Sequence, residues 1–319
     1  MKKMSQNRER IDYSIVIPVY YNEGCLTKTF NCIHEEVILA NPDLACEIIF
    51  VDDGSGDGSL EELLLLRGKH PRLIKVIKLT RNFGQQNAII AGHKMSVGRC
   101  VITMSADGQD PANLINEMLK AHFEDCYEVV ICEREAREES VYRQFTSKVF
   151  YKLMQKLSFP NMPEGGFDYT LVGRKAMNVL LSNLETHPFY QGQILWTGFT
   201  PKFLKYRRRE RVVGKSRWTF GKKITYLIDG VMGYSFLPIR LMSVGGLITA
   251  LLGFVYAVVI FVSRLVWGNP MIGWAPLMIV VLVLGGIQML MLGMMGEYLW
   301  RTLAQSRNRD HYVIDRIYQ

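Results

Sequence analysis

Apolar and polar positions fall into two regimes along this chain. Up to residue 240, short runs rich in β-branched residues recur at Ser14–Val19, Glu47–Val51, Leu73–Leu79, Val101–Ser105 and Glu128–Cys132, and each predicts a strand. Between them, Glu23–Leu39, Leu60–Arg67, Gln85–Ser96, Pro111–Phe123 and Arg143–Leu157 predict helices. Strands alternating with helices of this length imply an α/β domain with a mostly parallel sheet covered on both faces. Beyond residue 240 the pattern changes. Leu241–Ser263 is a run of 23 residues without a charge, and Leu265–Gly296 is another of 32.

A hydrocarbon core about 30 Å thick needs about 20 apolar helical residues. Leu241–Ser263 meets that length between Arg240 and Arg264. In the second run, Gly268-Asn269-Pro270 reads as a turn, which trims the helix to Trp274–Gly296, closed by Glu297. Trp267, Trp274, Tyr298 and Trp300 stand where an interfacial aromatic belt would be. The organisation expected is a soluble-type domain over 1–217, a juxtamembrane amphipathic segment over 218–240, spans over 241–263 and 274–296, and a tail over 297–319.

Charge orients this arrangement. The chain carries 38 Lys+Arg against 30 Asp+Glu, a net +8, and the excess is local. Lys202–Lys223 holds ten Lys/Arg against Glu210 alone, Arg301, Arg307 and Arg309 follow the second span, and only Arg264 lies between the spans. The positive-inside bias then places both termini and the main domain in the cytoplasm. With no comparable apolar segment before residue 240, no signal peptide is expected. The six cysteines form no CxxC pair, and Cys46, Cys100 and Cys132 sit in strand-like runs as small core residues. His93, His122 and His187 have no ligand-like partners at useful spacing and read as structural or exposed.

Polar clusters follow the first four strands. They are Pro18-Val19-Tyr20-Tyr21-Asn22-Glu23, Asp52-Asp53-Gly54-Ser55-Gly56-Asp57-Gly58, Thr80-Arg81-Asn82-Phe83-Gly84 and Ser105-Ala106-Asp107-Gly108-Gln109-Asp110-Pro111. Each alone is ordinary turn chemistry. Four in succession fall on the carboxyl edge of the sheet, where α/β sheets bind ligands.

These segments, with RQFTSKVFYKL at 143–153 and RERVVGKSRW at 209–218, resemble the family 2 glycosyltransferases of the GT-A fold. The likeness is to the polyprenyl-phosphate group, which includes bactoprenol glucosyltransferases, aminoarabinose-type transferases and dolichyl-phosphate mannose synthase. It implies inverting transfer of a hexose from a nucleotide sugar to a polyprenyl phosphate at the inner (cytoplasmic) membrane. UDP-glucose and undecaprenyl phosphate are the expected pair, for modification of cell-envelope glycans, with mannose, N-acetylhexosamine or aminoarabinose as alternatives. A lipid bilayer is the expected surface, and no nucleic-acid partner is expected. Glycines at 245–246, 285–286, 293 and 296 leave self-association open.

By position, the resemblance assigns Pro18, Tyr20, Glu23, Asp52, Asp53, Arg81 and Asp107 to the nucleotide sugar. It assigns Asp107 and Gln109 to a Mg²⁺ or Mn²⁺ ion, and Asp107 and Asp168 to catalysis, Asp168 as base or sugar-positioning group. Arg134, Arg143, Ser147, Arg208, Arg211 and Arg217 would meet the acceptor phosphate, which suits the guanidinium fork. Lys222 and Lys223 are assigned to anionic lipid. Two departures stand out. Ser105 occupies the first position of the cation motif, usually Asp, and a neutral hydroxyl is a weaker ligand for a hard cation. A QxxRW signature is absent, since Gln191-Gly192-Gln193-Ile194-Leu195-Trp196 has no Arg, so a processive polysaccharide synthase is not expected. The alternative from another class is a non-catalytic membrane scaffold in which Ser105 marks a dead cation site.

Overall fold

A computed structural model describes residues 11–134, 152, 155, 159–163, 166–185, 189–207, 230, 232–235, 237–267, 274–307 and 309–319. The chain divides into two units, one formed by residues up to Asp229 together with Asp310–Gln319, the other by Gly230–Arg309.

The first unit is built on an eight-stranded sheet. Its strands are β1 (Tyr13–Val19), β2 (Cys46–Asp52), β3 (Ile74–Leu79), β4 (Cys100–Thr103), β5 (Val129–Arg134), β6 (Thr170–Gly173), β7 (Pro201–Tyr206) and β8 (Ile314–Tyr318). Their order across the sheet is β7-β5-β6-β4-β1-β2-β3-β8. The helices are α1 (Leu26–Ile33, continued by a wider turn to Ile38), α2 (Ser59–Lys69), α3 (Gln85–Met95), α4 (Leu114–Phe123), α5 (Arg174–Ser182) and α6 (Tyr190–Trp196). The five strands and four of the five helices expected from the pattern are present. The fifth helix, over 143–157, lies largely outside the described residues.

Strand residues feed two cores, as alternation of side chains requires. Ile15, Ile17, Ile48 and Phe50 pack under α1, α2 and α4, while Val16, Ile49 and Val51 pack under α3, α5 and α6. Pro18 is tolerated in this central strand for a local reason. The Val16 carbonyl faces β4 and accepts from Met104 N–H at 3.2 Å. Pro18, two residues on, faces the same way but beyond the end of β4, which is paired only as far as Val16. Its missing N–H therefore costs no ladder bond.

The sheet keeps the mostly parallel arrangement expected and is mixed through two opposed strands. Pairs β1–β2, β1–β4, β2–β3 and β5–β7 are parallel. Strand β6 inserts antiparallel between β4 and β5, and β8 pairs antiparallel with β3. Both strands, like β7, lie outside the β-branched runs that predicted β1 to β5. The segment 310–319, expected as part of a tail, thus supplies β8 to the sheet of the first unit. Leu79 pairs with Ile314, Thr80 N–H donates to Val313 O at 3.0 Å, and Lys78 meets Asp315 at 2.7 Å.

The second unit contains two long helices, α7 (Leu237–Trp267) and α8 (Trp274–Ser306). Among the described residues, Ile239–Ser263 is the one helical stretch long and apolar enough to cross a membrane, with a mean hydropathy of 2.4. Gly246 of α7 faces the methyl of Met291 in α8.

Candidate functional site

Loops after β1, β2, β3 and β4, with the end of β5 and the residues before β6, meet at the carboxyl edge of the sheet. The opposite edge is also polar, yet it closes on itself. There the buried Glu47 accepts from Ser14 Oγ at 2.6 Å and Val97 N–H at 2.7 Å, and pairs with Lys75 at 3.1 Å. That edge is structural.

The first two loops on the carboxyl side are tied together by side chains. Tyr21 N–H donates to Ser55 Oγ and Asn22 N–H to Ser59 Oγ, while the Glu23 carboxylate accepts from Gly58 N–H at 3.0 Å. Tyr21 holds φ +55, the left-handed region that bulky residues avoid. Its strain is sustained by this knitting and turns the chain sharply off β1.

Asp52 and Asp53 end β2 and are both buried. Asp52 Oδ1 accepts from Ser55 N–H at 3.1 Å, and its Oδ2 is buried with no partner among the described residues. Burial pushes the Asp52 carboxyl up, opposed by the Ser55 bonds. Asp53 reaches across to the third loop and accepts from Phe83 N–H at 2.7 Å and Gly84 N–H at 2.9 Å. Burial pushes it up to about 6, with those two N–H bonds opposing. Arg81, on the same loop, is exposed and stacks over Phe83 at 4.1 Å.

The fourth loop folds around Ser105. Its hydroxyl lies 2.8 Å from Asp107 Oδ1 and 2.5 Å from Asp110 Oδ2, and its N–H donates to the same Asp110 oxygen at 3.0 Å. Gln109 N–H donates to Asp107 Oδ1 at 3.2 Å. Asp107, Gln109 and Asp110 are each at least 94% buried. A second carboxylate, Asp110, thus stands beside the residue that replaces the usual Asp. All the donors are oxygens, and one or two carboxylates plus substrate phosphates suffice for Mg²⁺ or Mn²⁺, so the residues present fit such an ion.

Across the edge, Arg134 at the end of β5 pairs with Asp168 at 2.6 Å. Among the residues singled out in the sequence, Pro18, Tyr20, Glu23, Asp52, Asp53 and Arg81 gather on the β1–β3 side. Asp107, Gln109, Arg134 and Asp168 gather on the β4–β6 side. Arg143, Ser147, Arg208, Arg211 and Arg217 lie outside the described residues, as do Lys222, Lys223 and most of the 218–240 segment. Asp110 and Tyr206 were not anticipated. Asp110 reads as a turn residue, and Tyr206 lies in a strand with no clear alternation. His93, read as structural, is buried against Thr103 Oγ1 at 2.8 Å and lowered to about 3 by burial.

A mixed α/β sheet of this order, with its polar loops gathered at the carboxyl edge, is of the GT-A-like class. A mannosyltransferase from Pyrobaculum calidifontis, solved with GDP-Man and Mn²⁺, superposes with a TM-score of 0.51 over 71% of this chain and 64% of that one at 17% identity, a likeness of fold. The family model for glycosyl transferase family 2 matches residues 14–181, and the chain belongs to that family. CsbB of Bacillus subtilis is 36% identical over 94% of this chain and 90% of that one. The bactoprenol glucosyl transferase of Shigella phage SfV is 30% identical over 94% of this chain and 97% of that one.

Proposed function

We propose that this family 2 enzyme transfers glucose from UDP-glucose to undecaprenyl phosphate on the cytoplasmic face of the membrane, with inversion. The observation that carries the proposal is the facing of the buried Asp107 loop by the Arg134–Asp168 pair on one sheet edge. Similarity along nearly the full length of the phage enzyme, named for bactoprenol glucosylation, supports the acceptor and sugar.

The chemistry asks little of a base. A lipid phosphate monoester with a second pKa of about 6 carries about −1.5 to −2 charge near neutrality and is already a nucleophile. Its oxygen attacks the anomeric carbon, and the bond to the nucleoside diphosphate breaks on the opposite face. Arg134 is a bidentate-capable cation for the incoming phosphate, and Asp168 holds its guanidinium in place. Asp168 is therefore a positioning partner of Arg134 in this reading. Asp107 and Gln109 would hold Mg²⁺ or Mn²⁺, which supplies positive charge to the departing diphosphate. On the donor side, the loops knitted by Glu23 and Asp53 form the nucleoside floor, with Asp52 Oδ2, unpartnered among the described residues, as an acceptor for a base N–H.

Two spans are part of the proposal. Residues on both sides of the second unit lie in one sheet, because β8 pairs with β3. A chain that enters a bilayer at α7 must then return to the side it left, which favours α8 as the second crossing. The cationic flanks favour the cytoplasm as that side.

The test is a panel of labelled nucleotide sugars, each given to membranes containing the enzyme and undecaprenyl phosphate. Label in lipid with UDP-glucose above all others supports the proposal. Label with another nucleotide sugar alone replaces glucose, and none with any donor refutes it.

A further inference from the structure

The acidic loop and the Arg134–Asp168 pair are joined by a continuous run of hydrogen bonds through two residues outside the assigned set. Ser105 Oγ lies 2.5 Å from Asp110 Oδ2, and the other carboxylate oxygen, Oδ1, accepts the Tyr206 hydroxyl at 3.0 Å. The Tyr206 oxygen in turn accepts from Arg134 Nε–H at 3.3 Å, and Arg134 Nη2 donates to Asp168 at 2.6 Å. The phenol donates one bond and accepts another, so it links an anion to a cation with matched polarity.

The surrounding fold fixes that phenol. Tyr206 ends β7 directly beside Arg134 in the β5–β7 register. Of the six residues in β7, Tyr206 alone is buried. Its ring meets Tyr169 edge-on at 5.9 Å, and the Tyr169 hydroxyl donates to Pro111 O at 3.0 Å, just after Asp110. An edge strand that buries one side chain, and aims it between two functional loops, holds those loops at a set separation.

We propose that Asp110 and Tyr206 are positioning residues that register the acidic loop, which holds the donor diphosphate, against Arg134, which holds the acceptor phosphate. The inference rests on the proposed reading of the site. Near-attack geometry is sensitive to displacements of about 1 Å, which can cost about 100-fold in rate. Removing the Tyr206 hydroxyl deletes its bonds to Arg134 Nε and Asp110 Oδ1 together and leaves the ring packing in place.

The experiment compares the full-length wild type with Tyr206→Phe, Asp110→Asn and the double variant in lipid nanodiscs. Each is assayed with labelled UDP-glucose, undecaprenyl phosphate and Mn²⁺. For Tyr206→Phe, we expect kcat to fall about 10- to 100-fold, as for loss of a hydrogen bond to charged groups. KM for the lipid phosphate rises, while KM for UDP-glucose stays within about twofold, because Arg134 serves the acceptor. Tm falls by no more than several degrees, the cost of the two lost bonds, and Mn²⁺ binding to the UDP complex, followed by electron paramagnetic resonance, is unchanged. The double variant loses no more than the worse single one, since both act through one link.

Wild-type kinetics in Tyr206→Phe overturn the positioning role. So does a loss shared equally by both KM values together with a Tm lowered by more than about 10 °C, which assigns Tyr206 to packing. Weakened Mn²⁺ binding in that variant overturns it as well, by moving the effect to the cation. If the wild type itself transfers no label, the reading of the site fails and the inference falls with it, an outcome distinct from the other three.

Discussion

Substituting Gly54 by Ala probes how closely the second and third loops must approach. Gly54 holds φ +71, and a Cβ there would lie 2.7 Å from the Arg81 carbonyl carbon and 2.9 Å from both Arg81 Cα and Asn82 N. These are backbone atoms, so no side-chain rotation relieves the overlap. The left-handed conformation costs an L-residue about 1–2 kcal/mol, and overpacking adds about 1–3 kcal/mol. At about 2–4 °C per kcal/mol for a domain of this size, Tm should fall by roughly 4–20 °C. The cheapest relief is a shift of the 80–84 loop, which breaks the Asp53 bonds to Phe83 and Gly84. UDP affinity should therefore fall at least about tenfold, the equivalent of one charge-assisted bond. Gly24→Ala is the control, with φ +80 and nothing within 4 Å of its would-be Cβ. It carries the strain without the overlap. Scanning calorimetry and isothermal titration with UDP give both numbers. If Gly54→Ala matches Gly24→Ala in both, the close approach of the loops contributes nothing to the nucleotide site.

Three further outcomes follow from the same geometry. The Asp53 carboxyl ionises near 6 in the fold against an ordinary 3.8, so the folded chain binds more protons between those values. Stability contributed below pH 3.8 is lost as pH rises through 6, by at most about 3 kcal/mol, whereas UDP binding strengthens over that rise because the ionised form accepts Phe83 and Gly84. Asp53→Asn should flatten both profiles, as urea titrations and UDP binding at pH 4.5–7.5 would reveal. Ending the chain after Arg309 removes β8 and exposes the Ile74–Leu79 edge, so we expect lower Tm, a weaker hold on Thr80 and more aggregation by light scattering; unchanged Tm would make β8 dispensable. Ser105→Asp puts a third carboxylate beside Asp107 and Asp110, so its Tm should fall in EDTA and rise with Mn²⁺ more than the wild type's does; equal Mn²⁺ shifts would contradict the cation role of this loop.

How much of this was legible in the sequence depended on where the signal lay. The five anticipated strands are buried on both faces, and continuous β-branched runs report that directly. Strands β6 and β8 carry shorter, mixed runs, and β8 lies beyond about 80 residues of apolar and flanking sequence, so only the fold shows its pairing with β3. The carboxyl-edge loops were legible because Asp, Gly and Asn clusters recur after each strand. Their internal roles were not. Glu23 and Asp53 spend hydrogen bonds tying loops to one another, a division that depends on φ angles at Tyr21 and Gly54 that composition does not encode. Asp110 and Tyr206 are 96 residues apart and gain meaning only when β7 docks beside β5.

The proposed function requires that the Asp107 edge grip an activated sugar for delivery to a lipid phosphate. The most direct measurement incubates purified wild type and Asp107→Ala, in nanodiscs containing undecaprenyl phosphate, with radiolabelled UDP-glucose and Mn²⁺, and counts label in the extracted lipid. We expect labelled lipid phosphate sugar from the wild type, its loss with EDTA, and none from an Asp107→Ala protein that keeps the wild-type circular dichroism spectrum. Equal labelling by the two proteins would contradict it.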